Sequence, residues 1–156
     1  GEIAKIESGN YETLAQTDYI LIEFSYEIRY KEMYNALNNI LQLGLTPVIA
    51  HIERYNNLDE KKAQELVNMG CLVQINATSI LKPKLFGDKH KNYKKRAKKY
   101  LDAELVHFIA SDMHNMTTRR TYMEEAFNII EKKYGTTYAF ELFSKNQERL
   151  LMNKII

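Results

Sequence analysis

The stretch Pro47-Val48-Ile49-Ala50-His51 decides the fold class of this chain. Its four apolar residues in a row are typical of a strand buried on both faces, the kind of strand found in parallel sheets covered by helices. The run ends at a histidine, and functional residues in parallel sheets gather at the carboxyl ends of the strands. This stretch therefore predicts an α/β fold and indicates where in the sheet to look for a functional site.

Short apolar runs alternate with helical patterns along the rest of the chain. Apolar residues at helical spacing predict one helix that stops at Gly44 and another from Leu58 to Gly70. A basic helix follows, and two or three amphipathic helices are expected after the last strand. Three further predicted strands are Tyr19–Phe24, Cys71–Ile75 and Val106–Ala110. The pattern indicates a parallel sheet covered by helices, which fits either an open doubly wound sheet or part of a barrel.

Size and composition favour one ordinary globular domain spanning residues 1–156. The chain is 45% hydrophobic and 27% charged, and 156 residues can bury a core without disulfides. No apolar run approaches the roughly 20 residues that cross a bilayer, and the first residues lack a signal-peptide pattern. The single cysteine, Cys71, fits a reducing compartment. We therefore expect a cytoplasmic protein without membrane insertion.

The positive charge of the chain is concentrated in one segment. The net charge is only +2, but the segment from Lys82 to Lys99 is strongly basic and has Asp88 as its single acid. Such a segment is typical of a solvated helix face whose Tyr93 and Ala97 side turns inward. It could instead concentrate an anionic substrate. Nucleic-acid binding is the weakest interpretation, because no groove-reading motif accompanies the charge.

Polar side chains stand at the predicted carboxyl ends of all four strands. Glu23, His51 and Asn76 follow or end the first three strands, and Asp112 with His114 follows the fourth. Taken alone, Glu23 could be an exposed strand-end acid, and the turn containing Asp112 could cap a helix. Together they form a pattern that a purely structural sheet does not need, because apolar strand ends require no buried charge.

The two remaining histidines are assigned outside this pattern. His107 lies between Val106 and Phe108 in a predicted strand, so it is interpreted as a core residue or as a support for the site. His90 belongs to the basic segment and is predicted to lie at the surface.

The residue types at the strand ends suit a metal ion and a phosphate. His51, Glu53 and Arg54 supply an imidazole, a carboxylate and a guanidinium within four residues. Carboxylate and imidazole ligands without thiolate favour manganese, iron, zinc or magnesium. Arg54 and Arg119 are candidate phosphate clamps, since a guanidinium offers two parallel donors. Metal-supplied hydroxide then predicts phosphoester hydrolysis. No Cys-x5-Arg loop exists, which excludes the thiolate mechanism of the common tyrosine phosphatases.

Four segments of the sequence form a recognisable set: Leu21–Ser25, Thr46–Tyr55, Leu81–Gly87 and Ile109–Asn115. They resemble signature segments of the capsule-type tyrosine phosphatases of Gram-positive bacteria, within the polymerase-and-histidinol-phosphatase (PHP) superfamily. The resemblance runs along essentially the whole chain. It implies the later βα units of a distorted (β/α)7, TIM-like barrel and a site for up to three metal ions, usually manganese. It also implies dephosphorylation of a bacterial tyrosine kinase that controls capsule and exopolysaccharide synthesis.

The resemblance assigns roles to individual residues by matching position. Arg54 and Arg119 would bind the phosphate and act in catalysis, with Arg120 as a substitute for Arg119. The metal ligands would be Glu23, His51, Asp112 and His114.

The chain also departs from the family pattern. The His-x-His strand and the further Asp, His and bridging Glu ligands that open the family's barrel are absent from this sequence. We therefore expect a fragment that supplies about half of the ligands and is weakly active or inactive by itself. The unclosed sheet would expose edges that favour a homo-oligomer.

Two other function classes remain open at this point. One is a PHP phosphoesterase for a small phosphomonoester such as histidinol phosphate, although the segment from Lys82 to Gly87 favours the capsule-type branch. The other is a non-catalytic interaction module that docks on a kinase or on itself. A panel of phosphorylated substrates would separate these classes.

Overall fold

A four-stranded parallel sheet forms the centre of the computed structural model, which describes residues 13–111 and 116–156. The strands lie in sequence order, and each pairs in parallel with the next. Their bounds are β1 Tyr19–Ile22, β2 Thr46–Ile49, β3 Leu72–Asn76 and β4 Phe108–Ala110. The predicted α/β class and the four predicted strands are confirmed. The first strand ends two residues earlier than predicted, so Glu23 follows it rather than lying inside it.

Each strand leads into a helix. The helices after the four strands are α1 Tyr30–Gln42, α2 Glu60–Asn68, α3 Lys91–Asp102 and α4 Met116–Tyr134. Short 3-10 turns lie at Leu14–Gln16, Ile52–Arg54 and Ala77–Ser79. The chain ends with α5 Thr136–Phe140, a π-helical turn Glu141–Lys145 and α6 Asn146–Leu151. The expected amphipathic helices after the last strand are therefore present.

Local chemistry sets the helix ends. The Asp59 carboxylate accepts a hydrogen bond from the Lys62 backbone N–H at 2.8 Å, so α2 begins at Glu60 rather than at Leu58. After α1 and α2 the chain passes through Gly44 at φ 81° and Gly70 at φ 117°, backbone angles that favour glycine.

The main core lies between the sheet and the helices. α3 buries Ala97, Tyr100 and Leu101 and leaves most of its lysines exposed, as the pattern of the basic segment predicted. In the part of the chain that the structure describes, no helix combines the length and the apolar character needed to cross a membrane. The largest fully buried side chains are Met33, Leu37, Ile40, Ile49, Ile52, Tyr55, Leu66, Ile75, Tyr100, Ile130 and Leu142.

Candidate active site

The carboxyl ends of the strands meet at one edge of the sheet. Ile22 of β1 pairs with Ile49 of β2, and Ile49 pairs with Val73 of β3. The segments that follow β1 and β2, which carry Glu23 and His51, therefore leave the sheet side by side. This is the arrangement that the polar strand ends predicted.

The His51 ring packs against the rings of Tyr26 and Tyr55, which together form an aromatic wall. His51 has φ 36°, in the left-handed region that non-glycine residues seldom adopt, and it starts the 3-10 turn Ile52–Arg54. Its ring centroid lies 5.5 Å from that of Tyr26 and 5.6 Å from that of Tyr55. Such a backbone conformation costs roughly 1–3 kcal/mol and is concentrated at functional sites. The half-buried imidazole is thus held in one place at the strand end.

Arg54 comes from the same turn and reaches the same wall. Its Nη1 donates a hydrogen bond to the Tyr26 hydroxyl at 3.3 Å. Its guanidinium carbon also lies 5.5 Å from the centre of the Tyr93 ring, a cation–π contact with α3. Tyr26 therefore touches both the imidazole of His51 and the guanidinium of Arg54.

Glu23 lies next to this cluster and is exposed to solvent. Burial, with a smaller contribution from the negative charge of Glu23, raises the pKa of Tyr55 to about 12. Glu23, His51 and Arg54 are thus the three predicted site residues that the structure brings together.

Glu53 has a different role from its neighbours. The sequence grouped its carboxylate with His51 and Arg54 as a site group, but the side chain is completely buried. Its Oε2 accepts a hydrogen bond from the Asn76 backbone N–H at 3.1 Å, and the Ser79 hydroxyl also bonds to the carboxylate. Burial raises the pKa of Glu53 to about 7. Glu53 therefore fastens the turn after β2 to the end of β3 and is not open to a ligand.

The other predicted site residues are described only in part. Asp112 and His114 lie outside the described residues. Arg119 and Arg120 belong to α4, but their side chains are outside the described part of the structure. Their roles remain predictions.

The donors at this edge suit a divalent metal, although the described residues do not complete a site. Within residues 13–111 and 116–156, no three His, Cys, Asp or Glu side chains converge to hold a metal ion. Glu23 and His51 provide one carboxylate and one imidazole, a mixture that suits manganese, iron or zinc. Cys71 is buried, and burial raises the pKa of its thiol to about 12.

The aromatic enclosure of the site was not predicted from the sequence. Tyr26 and Tyr55 come from the connections after β1 and β2, Tyr93 comes from α3, and Arg96 of α3 supports the enclosure. The Arg96 guanidinium donates to the Glu53 backbone oxygen at 3.0 Å and to the Asn56 side-chain oxygen at 2.9 Å. A tyrosine lies close to the end of each of two predicted strands. Because the chain contains 11 tyrosines, this feature did not distinguish the site residues from the others.

Residues 1–152 match the protein family described as "Capsular polysaccharide synthesis, CpsB/CapC". The chain belongs to the CpsB/CapC family. The tyrosine-protein phosphatase CpsB of Streptococcus pneumoniae is 49% identical over 156 residues, and the alignment covers 99% of this chain and 64% of that protein. The tyrosine-protein phosphatase YwqE of Bacillus subtilis is 38% identical over 149 residues, covering 92% of this chain and 55% of that protein. The predicted family is confirmed.

A solved CpsB/CapC structure has the same fold. The chain is similar to one from the crystal structures of YwqE from Bacillus subtilis and CpsB from Streptococcus pneumoniae, described as unique metal-dependent tyrosine phosphatases. The TM-score is 0.80 with 34% identity, and the match covers 100% of this chain and 62% of that chain. The chain thus spans a little less than two thirds of the length of these CpsB/CapC relatives.

Proposed function

We propose that this CpsB/CapC chain forms part of a metal-dependent protein-tyrosine phosphatase, a phosphoric monoester hydrolase. Its substrate is phosphotyrosine on a bacterial tyrosine kinase that controls capsule and exopolysaccharide synthesis. The observation that carries the proposal is the contact of Tyr26 with both the His51 imidazole and the Arg54 guanidinium at the carboxyl edge of the sheet. The names of the CpsB and YwqE relatives support it.

The proposed metal ligands are Glu23, His51, Asp112 and His114. The complete enzyme would hold up to three ions, with manganese favoured over iron, zinc or magnesium. A metal ion at this edge would supply hydroxide at neutral pH, the nucleophile that a phosphate ester requires. The strained backbone at His51 and the ring contacts with Tyr26 and Tyr55 leave the imidazole little freedom, so it would be held in position for a metal ion.

Arg54 is proposed to bind the phosphate. Its contacts with Tyr26 and Tyr93 hold the guanidinium beside the imidazole, where its charge can neutralise phosphoryl oxygens as the bond breaks. Arg119 is proposed as a second phosphate clamp at the start of α4, with Arg120 as its substitute. The exposed ring of Tyr26 also suits contact with the phenyl ring of a phosphotyrosine, while the buried Tyr55 ring packs behind it.

We further propose that the chain forms the later βα units of a distorted (β/α)7, TIM-like barrel. The sequential strand order supports a barrel, since doubly wound sheets reverse their strand order at the ligand crevice. A cavity of about 490 Å³ on the face of the sheet, lined by residues such as Leu21, Val48, Phe108 and Leu150, suits the interior of such a barrel.

Several proposals depend on the completeness of that barrel. Residues 1–156 are proposed as a single, partial phosphatase domain in the cytoplasm, and the isolated chain is proposed to have weak activity or none. The outer edges of β1 and β4 could pair with another copy and give a homo-oligomer.

The test uses a parent protein of the length of the CpsB relatives. We expect manganese-dependent hydrolysis of a phosphotyrosine peptide, and loss of both bound metal and turnover in His51→Ala and Asp112→Ala. Glu60→Ala, which removes an exposed acid of α2, is the control and should leave both unchanged.

The alternatives have their own outcomes in this test. Full activity in the Asp112→Ala variant would refute the metal assignment. Preferential turnover of histidinol phosphate would indicate a phosphoesterase for small substrates, and binding to a kinase without any turnover would indicate an interaction module.

A further inference from the structure

A groove with an apolar floor lies beside the candidate active site. It has a volume of about 400 Å³ and runs between α3 and α4, next to the segment that follows β3. The apolar lining residues are Ile80, Leu81, Pro83, Leu101, Ile129 and Ile130.

The rim of this groove is rich in lysine. Lys94 pairs with Asp88 at 3.0 Å, and Asp102 pairs with Lys98 at 3.3 Å and with Lys133 at 3.5 Å. No ion pair within the described residues occupies the other three lysines, so the rim keeps an excess of positive charge. Those three are Lys82, Lys91 and Lys95.

This combination selects the chemistry of the occupant. A simple anion would gain nothing from the apolar floor, and a purely apolar segment would gain nothing from the lysines. A peptide with an apolar side chain flanked by acidic residues satisfies both, since the side chain removes apolar surface from water and the acids meet the lysines.

The groove and the candidate active site share structural elements. The Tyr93 ring on α3 lies under the Arg54 guanidinium, while the next residue, Lys94, lines the groove. Ser79, in the turn after β3, also lines the groove, and its hydroxyl hydrogen-bonds to the carboxylate of Glu53. Tyr93 and Lys94 are adjacent on α3, so the candidate active site and the groove border the same helix.

We propose that the groove between α3 and α4 binds an acidic segment with an apolar anchor that lies next to the phosphotyrosine of the substrate protein. This proposal rests on the proposed phosphatase function and specifies the class of substrate. The groove gives specificity for the surrounding peptide, while the site at His51 and Arg54 acts on the phosphate.

The experiment compares two phosphotyrosine peptides in the parent-length enzyme. One carries a segment of acidic residues around a leucine, placed on either side of the phosphotyrosine in turn, and the other carries serines at those positions. We expect the acidic peptide to have a KM lower by about tenfold at low salt, where surface charges are least screened. The double variant K91E/K95E should remove that preference.

The controls separate the groove from the active site. The double variant K31E/K61E makes the same charge change at exposed lysines of α1 and α2 and should keep the preference. Turnover of para-nitrophenyl phosphate, which cannot reach the groove, should be the same in all these proteins. Replacing only the leucine of the peptide by serine should also raise KM, which tests the apolar floor without altering the fold.

Failure of this inference can be distinguished from failure of the proposed function. Equal KM values for the two peptides in the unmodified enzyme, or an undiminished preference in K91E/K95E, would overturn the groove proposal while the phosphatase stands. If the parent hydrolyses no phosphotyrosine, binding of the unphosphorylated acidic peptide to this chain, measured by fluorescence anisotropy, still tests the groove. Loss of peptide binding in K91E/K95E would support the groove proposal. If the chain binds anionic phospholipid vesicles but not the peptide, the groove proposal is overturned.

Discussion

The Tyr55 hydroxyl accepts a hydrogen bond from the Phe24 backbone N–H at 3.2 Å. This contact joins the segment after β1, which carries Glu23, to the turn after β2, which carries His51 and Arg54. This hydrogen bond is one of several contacts between the two βα units that carry these proposed metal ligands; another is the Asn56 N–H, which donates to the Tyr26 backbone oxygen at 2.9 Å.

Replacement of Tyr55 by phenylalanine tests this link. Tyr55→Phe leaves the Phe24 N–H without its partner, so we expect a loss of about 1 kcal/mol in the free energy of unfolding. Urea denaturation of this chain measures the change. Tyr138→Phe is the matched control, because the Tyr138 hydroxyl is buried and has no hydrogen-bond partner within the described residues. An equal loss in both variants would contradict the proposed link.

Substitution of Arg54 by lysine tests the phosphate clamp. Lysine keeps the charge but loses the planar fork of donors, so kcat/KM for a phosphotyrosine peptide should fall by roughly a hundredfold to a thousandfold. Metal content, measured by elemental analysis of the parent-length enzyme, should not change. Arg29→Lys alters an exposed arginine that pairs with Glu32 and should be neutral. Loss of bound metal in Arg54→Lys would contradict a role confined to the phosphate.

Substitutions of Glu53 test its assignment to the interior. Glu53→Ala removes the acceptor for the Asn76 N–H and the Ser79 hydroxyl, and we expect a loss of roughly 2–4 kcal/mol in the free energy of unfolding. Glu53→Gln retains a carbonyl oxygen and should lose clearly less. Thermal unfolding of this chain measures both. If Glu53→Ala unfolds at the same temperature as the unmodified chain, the carboxylate does not stabilise the contact between the turn after β2 and the end of β3.

His107 predicts how stability depends on pH. Its Nδ1 accepts a hydrogen bond from the Val73 N–H at 3.0 Å, and burial lowers the pKa of the imidazole to about 4. Below its ordinary value of 6.5 the unfolded chain binds the proton and the folded chain does not. Stability should therefore fall as the pH drops from about 6.5 to about 4, by up to about 3 kcal/mol from this group.

A variant isolates the contribution of His107. In His107→Gln, an amide oxygen can replace the acceptor without titrating, so the loss of stability between these pH values should become smaller. Urea denaturation at several pH values provides the measurement, and an identical slope in the His107→Gln protein would exclude this imidazole as the cause.

The sequence by itself determined the α/β class, the four parallel strands and the family. Apolar runs such as Pro47–Ala50 and the helical spacing of apolar residues before Gly44 are patterns of residues close together in the chain. They can therefore be recognised from the sequence without the structure. The placement of Glu23 and His51 at one edge also followed from sequence, because all carboxyl ends of a parallel sheet lie on the same side.

Only the tertiary structure decided which polar residues are buried and which lie at the candidate site. Glu53 and Arg54 are adjacent in sequence, yet one is completely buried and the other reaches the aromatic wall. The left-handed backbone at His51 begins the turn that separates them. Their partners come from elsewhere in the fold: Asn76 is the last residue of β3, and Tyr26 lies in the connection after β1. Burial and hydrogen bonding between segments distant in sequence depend on three-dimensional packing, and no local pattern encodes them.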